Sequence, residues 1–440
     1  MAPRSQANHS EAVGVLGDDI EGLGSDGTGR TEDYDVAHRV SIPVVCNNPH
    51  VTPNNIDELL TWNADLTAAE IQARERAKSL TDHWRASIGP WYDQGNPPVK
   101  ELAAHLGREG LLGMCIPIPG ESRPVSTALG YGVVCAELEG LDSGVRSLAS
   151  VQGSLAMEAI HRYGDQAQQA RWLPGLSRGD LIGSFALTEP NAGSDPASLT
   201  TSVAAGPNGL VLNGAKRWIT NGTVADVVVV WARFDERISA FAVPTDLAGV
   251  DIQPIDNKGS LRASASARAA FTDVALPKEA HLAGARGVGA ALVCLNEARF
   301  GICFGVVGAA RDALSSALEY TQDRIQFGKP LAAFQITQTK LAQMTAEVAR
   351  SWQLALWLGR LKDRGNLQPA QVSMTKAANV RSALTVSRTA REILGANGIL
   401  FDHSPIRHAA NLESVLTYEG TEDMHHLIVG HTLTGRPAFR

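Results

Sequence analysis

A glutamate near the end of the chain has the residue type and the setting of a general base. Glu419 lies between Tyr418 and Gly420, and Thr421 follows as the N-cap of a predicted helix. A carboxylate held there by an aromatic ring and a glycine loses water, and desolvation raises its pKa. Such a base can remove the proton next to a carbonyl group. A lone glutamate before a helix is more often a solvated surface residue, so other segments must support this interpretation.

Two segments in the middle of the chain suit a planar ring with a polar edge. Residues 185–195 (FALTEPNAGSD) combine hydroxyl groups, small residues and free backbone N–H groups, which can hold an anion or a ring edge. Residues 216–222 (KRWITNG) place the flat face of Trp218 and the hydroxyl of Thr220 on the same side of a predicted strand. By composition alone, the first segment would more often be an ordinary surface loop, and Trp218 could equally belong to the core.

Two further segments in the last third of the chain could bind a nucleotide. Residues 324–328 (RIQFG) join two predicted helices, and an arginine with an exposed phenylalanine can serve a pyrophosphate and an adenine. Residues 395–398 (GANG) let a backbone approach a phosphate closely. Neither segment is a Rossmann or a Walker motif, so a nucleotide would be bound here without them.

The elements that position these segments begin with helices. Residues 1–57 are rich in Gly, Asp, Ser and Asn without periodicity, and we predict a poorly ordered arm. Residues 58–182 predict a helical domain, in which Thr67 and Glu70 form a capping box at the start of a helix that should run to about Ile88. Further helices are predicted from Pro97-Pro98, over residues 127–141 and 151–163, and from Asp165 with Gln168.

The pattern changes to strands and then returns to helices. Residues 183–286 predict a compact β-domain, with Asn213-Gly214 as a hairpin signal and β-rich runs at residues 227–231 and 238–243. Residues 287–440 predict a helical bundle. One of its helices carries the apolar stripe Leu341, Met344, Val348, Trp352 and Ala355. The predicted fold class is therefore α+β.

Composition excludes several classes of protein. The 440 residues are 44% hydrophobic and carry a net charge of −7, which gives no general attraction to nucleic acid or to an anionic membrane. The apolar runs, such as residues 227–231, are too short to span a bilayer. The five cysteines have no C-x-x-C spacing, so we expect buried free thiols, no metal site and a cytoplasmic protein.

In this order and spacing, the segments L-T-E-P-N-A-G-S-D, W-I-T-N, D-R-I-Q-F-G and Y-E-G-T resemble those of the acyl-CoA dehydrogenase family of flavoproteins. The likeness runs from about Leu66 to the C-terminus. It is strongest toward glutaryl-CoA dehydrogenases, through residues 137–147, 260–264, 295–299 and 408–413. The resemblance implies bound FAD, a helical domain, a β-barrel-like middle domain, a C-terminal four-helix bundle, and a homotetramer with FAD at a subunit contact.

The resemblance also implies a role for individual residues. Glu419 would be the base. The flavin ring would contact Thr188, Trp218 and Thr220, with Ser194 near the pyrophosphate or the CoA. The remaining cofactor contacts, several of them with the FAD of a neighbouring subunit, would come from Arg324, Phe327, Gln335, Gly395, Thr421 and Asp423. The substrate would be bound by Arg146, Ser147, Glu139, Tyr418 and Arg299.

Arg146 would hold the distal carboxylate of a glutaryl chain in a bidentate fork. The alternative for Arg146 is a structural ion pair with Glu139. Val145 stands where glutaryl enzymes commonly have an aromatic residue, and residues 117–125 (PIPGESRPV) are unusual for them. Both lie near the expected acyl end of the pocket, so the acyl group is left open. Gly395-Ala396 replaces two glycines of the family, but a backbone N–H contact survives that change.

Three functions follow from these observations. The first is a decarboxylating glutaryl-CoA dehydrogenase. The second is a flavoenzyme acting on another acyl-CoA or on an acyl-carrier-protein thioester in a biosynthetic pathway. The third is a non-enzymatic acyl-binding protein on the same fold. Either enzyme would need an electron acceptor such as electron-transfer flavoprotein or oxygen.

Overall fold

The computed structural model describes residues 55–206 and 209–438, so the predicted arm lies outside the described residues except for its last three positions. Helices come first, a sheet follows, and helices return, which confirms the α+β class. The N-terminal helices are α1 (Ile56–Leu59), α2 (Ala68–Trp84), α3 (Ile88–Gln94), α4 (Val99–Arg108), α5 (Ala128–Leu141), α6 (Ser143–Ser150), α7 (Glu158–Tyr163) and α8 (Gln166–Arg178).

Two of these helices begin where the capping signals predict. The Thr67 hydroxyl accepts a hydrogen bond from the backbone N–H of Glu70 (3.4 Å), whose carboxylate accepts one from the N–H of Thr67 (2.8 Å). Asp165 and Gln168 make the same reciprocal pair at the start of α8. Each box satisfies N–H groups that would otherwise lack a partner in the first turn.

Two predicted helices are divided in the structure. The helix expected to reach Ile88 ends at Trp84, and a 3₁₀ turn over Arg85–Ser87 separates it from α3. Pro90 explains the break, because its ring would clash with the carbonyl group four residues earlier in a continuous helix. The helix expected at residues 151–163 begins as a π-helical segment, Val151–Met157, which continues into α7.

The middle of the chain forms one mixed sheet of eight strands. In spatial order the path runs β6-β7-β3-β2-β4-β5-β8, and β1 pairs with β4 in parallel. The strands are β1 (Gly183–Ala186), β2 (Ser202–Gly206), β3 (Gly209–Thr220), β4 (Val227–Phe234), β5 (Arg237–Pro244), β6 (Val250–Pro254), β7 (Ser266–Leu276) and β8 (His281–Leu282).

The hairpin predicted at Asn213-Gly214 is wrong. These residues lie inside β3, which pairs with β2 up to the Gly206–Gly209 register and continues to Thr220. The glycine serves another purpose: its φ is 143°, and a Cβ there would lie 2.5 Å from the Thr201 side chain. The register against β7 shifts at this point, so Gly214 forms a bulge where the strand passes close to its neighbour.

A second bulge changes the expected arrangement of Trp218 and Thr220. The register against β7 also shifts between Arg217 and Ile219, and Trp218 has a φ of 63°. Side chains therefore do not alternate regularly between the two faces of β3 at Trp218. The expectation that Trp218 and Thr220 share one face because they are two residues apart is wrong.

The last part of the chain returns to helices. A short hairpin, β9 (Ile325–Gln326) with β10 (Lys329–Pro330), joins the first two of them. The helices are α9 (Val288–Asp323), α10 (Gln335–Asp363), α11 (Pro369–Ile393), α12 (Ser404–Thr417) and α13 (Glu422–Thr434). The predicted stripe of α10 is confirmed, since Met344, Val348, Trp352 and Ala355 are buried and Leu341 is partly buried.

Apolar side chains from both ends of the chain share one core. Leu80 and Leu138 of the first helices pack in the same cluster as Phe304 and Val380 of the last ones. Two further clusters cover the two faces of the sheet, so consecutive residues of β4 alternate between them. A strand buried on both faces reads as a continuous apolar run, as residues 227–231 do.

Helix α9 crosses α5 at very close range. A Cβ on Gly308 would lie 1.7 Å from the carbonyl oxygen of Ala136, and a Cβ on Gly305 would lie 2.0 Å from the Glu139 carboxylate. Only glycine allows the two backbones to approach this closely. α9 is also long and apolar enough to cross a membrane by length and composition, contrary to the expectation from short apolar runs, but 67% of its most apolar window is buried among the other helices.

A buried ion-pair network ties the first helices to α9. Glu137 accepts a hydrogen bond from Arg74 Nε (2.7 Å) and one from Arg311 Nη2 (2.7 Å). Asp57 pairs with both arginines, at 2.5 and 3.5 Å. Burial alone would raise the pKa of Glu137, but the two guanidinium groups lower it to about 2. The ionised carboxylate is therefore strongly favoured in the folded chain.

Replacing Glu137 with Gln should destabilise the fold, because two buried guanidinium groups lose their main partner. A loss on the order of 3 kcal/mol is expected at neutral pH, seen as a lower melting temperature. The wild-type contribution is present above the ordinary pKa of 4.5 and is lost as the pH falls toward about 2, so the variant should lose less stability across that range. Glu413→Gln, which removes an exposed pair with Arg388, is the control and should change little.

Candidate active site

The segment between α12 and α13, which we call the base loop (residues 418–421), is held in a strained conformation. Glu419 has a φ of 53° and Gly420 a φ of 98°. Left-handed backbone costs a residue other than glycine roughly 1–2 kcal/mol, and it persists only where neighbours hold it. The hydroxyl of Thr421 accepts a hydrogen bond from the N–H of Met424 (3.2 Å), which confirms Thr421 as the N-cap of α13.

One oxygen of the Glu419 carboxylate is shielded from water although the residue as a whole is partly exposed. Its Oε2 atom is buried and has no partner among the described residues. Burial raises the pKa of Glu419, and the charges of Arg146, Lys376 and Arg299 oppose that rise. The expectation that Tyr and Gly alone surround the carboxylate is therefore incomplete, since three cations also face it. A desolvated carboxylate with a raised pKa suits proton abstraction.

Arg146 on α6 is one of those cations and is fully buried. Its Nε donates to Glu139 Oε2 (2.7 Å), and its Nη2 donates to the hydroxyl of Tyr418. Its Nη1 is buried and has no hydrogen-bond partner in the described part of the chain. The ion pair with Glu139, the alternative interpretation of Arg146, is thus confirmed as a contact. The Nη1 group of the guanidinium nevertheless makes no hydrogen bond to any described residue. An unpaired buried N–H donor is costly unless a ligand completes it.

The other predicted substrate residues surround this pair. Ser147 is buried on α6 beside the Tyr418 hydroxyl, and burial raises the pKa of Tyr418 to about 12. Arg299 instead supports the base loop: its Nε donates to the carbonyl of Glu419 (2.6 Å), and its Nη1 donates to Asn296 (3.1 Å). The structure therefore brings Glu139, Arg146, Ser147, Tyr418 and Arg299 together around Glu419.

A second cluster forms where β1 meets β3. The N–H of Arg217 donates to the carbonyl of Thr188 (2.9 Å), and Ser184 donates to the carbonyl of Thr220 (2.9 Å). Trp218 is 56% exposed, so it does not belong to the core, and Arg217 stacks on its ring. Among the described residues the side-chain hydroxyls of Thr188 and Thr220 have no hydrogen-bond partner. Two free hydroxyls beside an exposed indole match a planar ring with a polar edge.

A buried pair beneath these residues fixes the loop that carries Thr188. Lys216 donates from Nζ to Glu189 (2.9 Å) and to the carbonyl of Leu187 (3.0 Å). Glu189 also accepts hydrogen bonds from the backbone N–H groups of Thr200 (2.7 Å) and Thr201 (2.9 Å). Glu189 and Lys216 both lie in segments that the sequence marked as candidates for ring binding, but the ion pair between them was not predicted.

The remaining predicted cofactor residues lie at exposed positions, on turns or in the first turn of a helix. Phe327, at the tip of the β9–β10 hairpin, is 94% exposed with a φ of 51°. Exposed positions are also taken by Ser194, Arg324, Gln335, Gly395 and Asp423. In the single chain these residues are not among the contacts of Glu419.

Models of known protein families match most of the chain. Family models for the acyl-CoA dehydrogenase N-terminal, middle and C-terminal domains match residues 67–180, 184–274 and 285–434. The chain belongs to the acyl-CoA dehydrogenase family. It is 33% identical over 339 residues to the human mitochondrial short-chain specific acyl-CoA dehydrogenase, covering 74% of this chain and 81% of that protein.

Two solved structures are closely similar. A glutaryl-CoA dehydrogenase from Mycobacterium smegmatis is 51% identical, covers 88% of this chain and 100% of its own, and superposes with a TM-score of 0.85. A glutaryl-CoA dehydrogenase from the same organism in complex with FADH2 is 47% identical, covers 85% and 97%, and has a TM-score of 0.83. The protein is thus an FAD-dependent acyl-CoA dehydrogenase, and FAD is its cofactor.

The residues present fit that cofactor. The free hydroxyls of Thr188 and Thr220 and the exposed face of Trp218 are the groups that would hold the flavin ring.

Free thiols are also as expected at Cys135, Cys294 and Cys303, which are buried, whereas Cys115 is exposed.

One residue of the site was missed by the sequence reasoning. Lys376 on α11 is buried and donates to the carbonyls of Tyr418 (2.6 Å) and Gly420 (2.7 Å). Its signal was available, because Lys376 falls on the same helical face as buried Val372 and Val380. A lysine inside an apolar stripe must have buried partners.

Proposed function

We propose that the protein oxidises and decarboxylates glutaryl-CoA to crotonyl-CoA. The observation that carries this proposal is Nη1 of Arg146, which is buried and has no hydrogen-bond partner within residues 55–206 and 209–438. The same guanidinium group is held by Glu139 and Tyr418 and faces Glu419. A distal carboxylate would supply the missing acceptor and the missing charge. The likeness to two glutaryl-CoA dehydrogenases supports the same substrate.

The proposed chemistry begins at Glu419, which takes the proton from the substrate's α-carbon. Bound FAD supplies the acceptor for the hydride that leaves the β-carbon. Arg146 holds the distal carboxylate through its free N–H and thereby sets where the acyl chain lies. Arg299 and Lys376 hold the backbone on which Glu419 is carried.

Loss of carbon dioxide then balances without a further reagent. The electron pair of the breaking C–C bond passes into the conjugated thioester. A proton must afterwards return to the terminal carbon of the shortened chain. Glu419, protonated in the first step and desolvated, is the acid available for that return.

A second candidate substrate is another acyl thioester, including one tethered to a carrier protein in a biosynthetic pathway. The observation in its favour is Val145, a small buried residue next to Arg146 where glutaryl enzymes commonly have an aromatic. The third function, a non-enzymatic acyl-binding protein, does not agree with membership of an enzyme family and a desolvated Glu419.

The test is anaerobic bleaching of the flavin absorbance by glutaryl-CoA, butyryl-CoA and the corresponding carrier-protein thioesters, with products identified by mass spectrometry. We expect glutaryl-CoA to bleach most efficiently and to yield crotonyl-CoA with carbon dioxide. Formation of the unsaturated dicarboxylic thioester without carbon dioxide would contradict decarboxylation. Preference for butyryl-CoA or for a carrier thioester would favour the second candidate.

We also propose a homotetramer in the cytoplasm that passes its electrons to an acceptor such as electron-transfer flavoprotein or oxygen. The exposed hairpin that carries Phe327, together with the exposed positions of Arg324, Gln335 and Gly395, supports contact with the FAD of another subunit. The net charge of −7 gives no support for nucleic acid as a partner.

A further inference from the structure

The base loop rests on two buried cations from the helical bundle. Lys376 donates from Nζ to the carbonyl oxygens of Tyr418 (2.6 Å) and Gly420 (2.7 Å). Arg299 donates from Nε to the carbonyl of Glu419, which lies between them (2.6 Å). Three successive carbonyl groups therefore accept hydrogen bonds from an ammonium and a guanidinium group, on helices α11 and α9.

This arrangement is more than ordinary loop packing. Charge-assisted hydrogen bonds to carbonyl groups are stronger than neutral ones. They act on the residue whose backbone is left-handed, Glu419, and on its two neighbours. Lys376 is 1% exposed, so its amine has been withdrawn from water to make these contacts, and a buried lysine needs such partners.

We propose that Lys376 is a positioning residue for proton abstraction. By gripping the carbonyl groups on both sides of Glu419, its ammonium group holds the carboxylate at the substrate's α-carbon and favours the ionised, basic form. This inference rests on the proposed role of Glu419 as the base and deepens it. Arg299 supports the loop through one carbonyl, whereas Lys376 bridges two.

The electrostatics of the cluster agree with this role. Burial lowers the pKa of Lys376 to about 7, and the Glu419 carboxylate opposes that change. The positive charge of Lys376 in turn opposes the rise in the pKa of Glu419. Among the described residues, the other titratable or charged groups that face this pair are Glu139 of α5, Arg146 of α6, Arg299 and Cys303 of α9, Tyr418 of the base loop, and Glu422 and His425 of α13.

The test compares Lys376→Met, which keeps the length of the side chain without its charge or donors, with Lys376→Arg, which keeps both. Lys340→Met, which removes a surface lysine paired with Glu392 on the neighbouring helix, is the matched control. Four quantities are measured: FAD content with melting temperature, the dissociation constant of glutaryl-CoA, the limiting rate of flavin bleaching, and the pH dependence of that rate.

We expect Lys376→Met to keep FAD, to bind glutaryl-CoA within about threefold of wild type, and to slow bleaching by at least about tenfold, the scale of a misplaced reacting group. As the pH is lowered, the bleaching rate of Lys376→Met should begin to fall at a higher pH than that of wild type. The reason is that removing a nearby cation raises the pKa of Glu419, which must be ionised to act as the base. Lys376→Arg should restore the position of that pH profile, and Lys340→Met should match wild type throughout.

A folded, FAD-loaded Lys376→Met protein with the wild-type rate and pH profile would overturn the proposal. If Lys376→Met does not hold FAD, Lys376→Gln is measured in its place, since it keeps an N–H donor but no charge. Loss of FAD in both neutral variants would make Lys376 a structural residue and overturn the proposal as well. Rapid bleaching in Glu419→Gln would contradict the proposed role of Glu419 as the base. A slow Glu419→Gln beside a normal Lys376→Met would remove only the positioning role.

Discussion

Replacing Glu419 with Gln is expected to slow bleaching of the flavin by acyl-CoA more than about a hundredfold, the usual scale for a general base, while FAD and substrate still bind. The amide has nearly the same shape as the carboxylate but cannot accept the α-proton. The carboxylate has one buried oxygen with no hydrogen-bond partner among the described residues. The replacement should therefore break no hydrogen bond at that oxygen, although it removes the negative charge that faces Arg146, Lys376 and Arg299. Stopped-flow absorbance under anaerobic conditions measures the rate.

Glu413→Gln is the matched control for this substitution. Glu413 is an exposed glutamate on α12, the helix that leads into the base loop, and it pairs with Arg388 at the surface. It should bleach at the wild-type rate and keep the wild-type melting temperature. Near-normal bleaching in Glu419→Gln would show that another group abstracts the proton.

Substitution of Arg146 is expected to change substrate selectivity rather than activity alone. If its free Nη1 holds a distal carboxylate, loss of the fork should penalise glutaryl-CoA much more than butyryl-CoA, which has no such group. A charge-assisted contact in a desolvated site is worth on the order of 2–4 kcal/mol, so the ratio of the two bleaching efficiencies should fall at least about tenfold.

The structure also decides which variant is informative. Both side chains of the Arg146–Glu139 pair are fully buried, so Arg146→Ala leaves an uncompensated carboxylate and is expected to be strongly destabilising. Arg146→Lys keeps the charge beside Glu139 but loses the planar fork. Arg162→Lys, at a half-exposed arginine on α7, is the control. An unchanged ratio in a folded, FAD-loaded Arg146→Lys protein would remove the main support for a dicarboxylic substrate.

Local signals in the sequence were reliable wherever hydrogen bonds join residues three apart. Thr67 with Glu70, Asp165 with Gln168, and Thr421 before α13 all cap helices as expected. The error at Asn213-Gly214 shows the limit of such signals. The same dipeptide serves a tight turn or a bulge, and the close approach of Thr201, which selects the bulge, is not visible locally.

Most residues of the candidate site were predictable from the sequence, but Lys376 and the hydrogen bonds among the site residues were not. The sequence left two interpretations of Arg146, a substrate ligand or a partner of Glu139. The structure shows the ion pair, and it also shows that Nη1 has no partner in the part of the chain that the structure describes. Lys376 was missed because its two acceptors lie 42 and 44 residues further along the chain. Contacts at such separation depend on how α11 packs, which periodicity alone does not specify.

The close crossing of α5 and α9 has a consequence for how relatives of this protein can be classified. Gly305 leaves the space that the Glu139 carboxylate occupies, and a Cβ there would lie 2.0 Å from it. Even alanine at this position would displace Glu139 and, with it, the anchor of Arg146. A homologue with a side chain at the equivalent position must hold its arginine by other means or do without one. A single glycine in a core helix thus marks the space in which Glu139 and Arg146 form their buried pair.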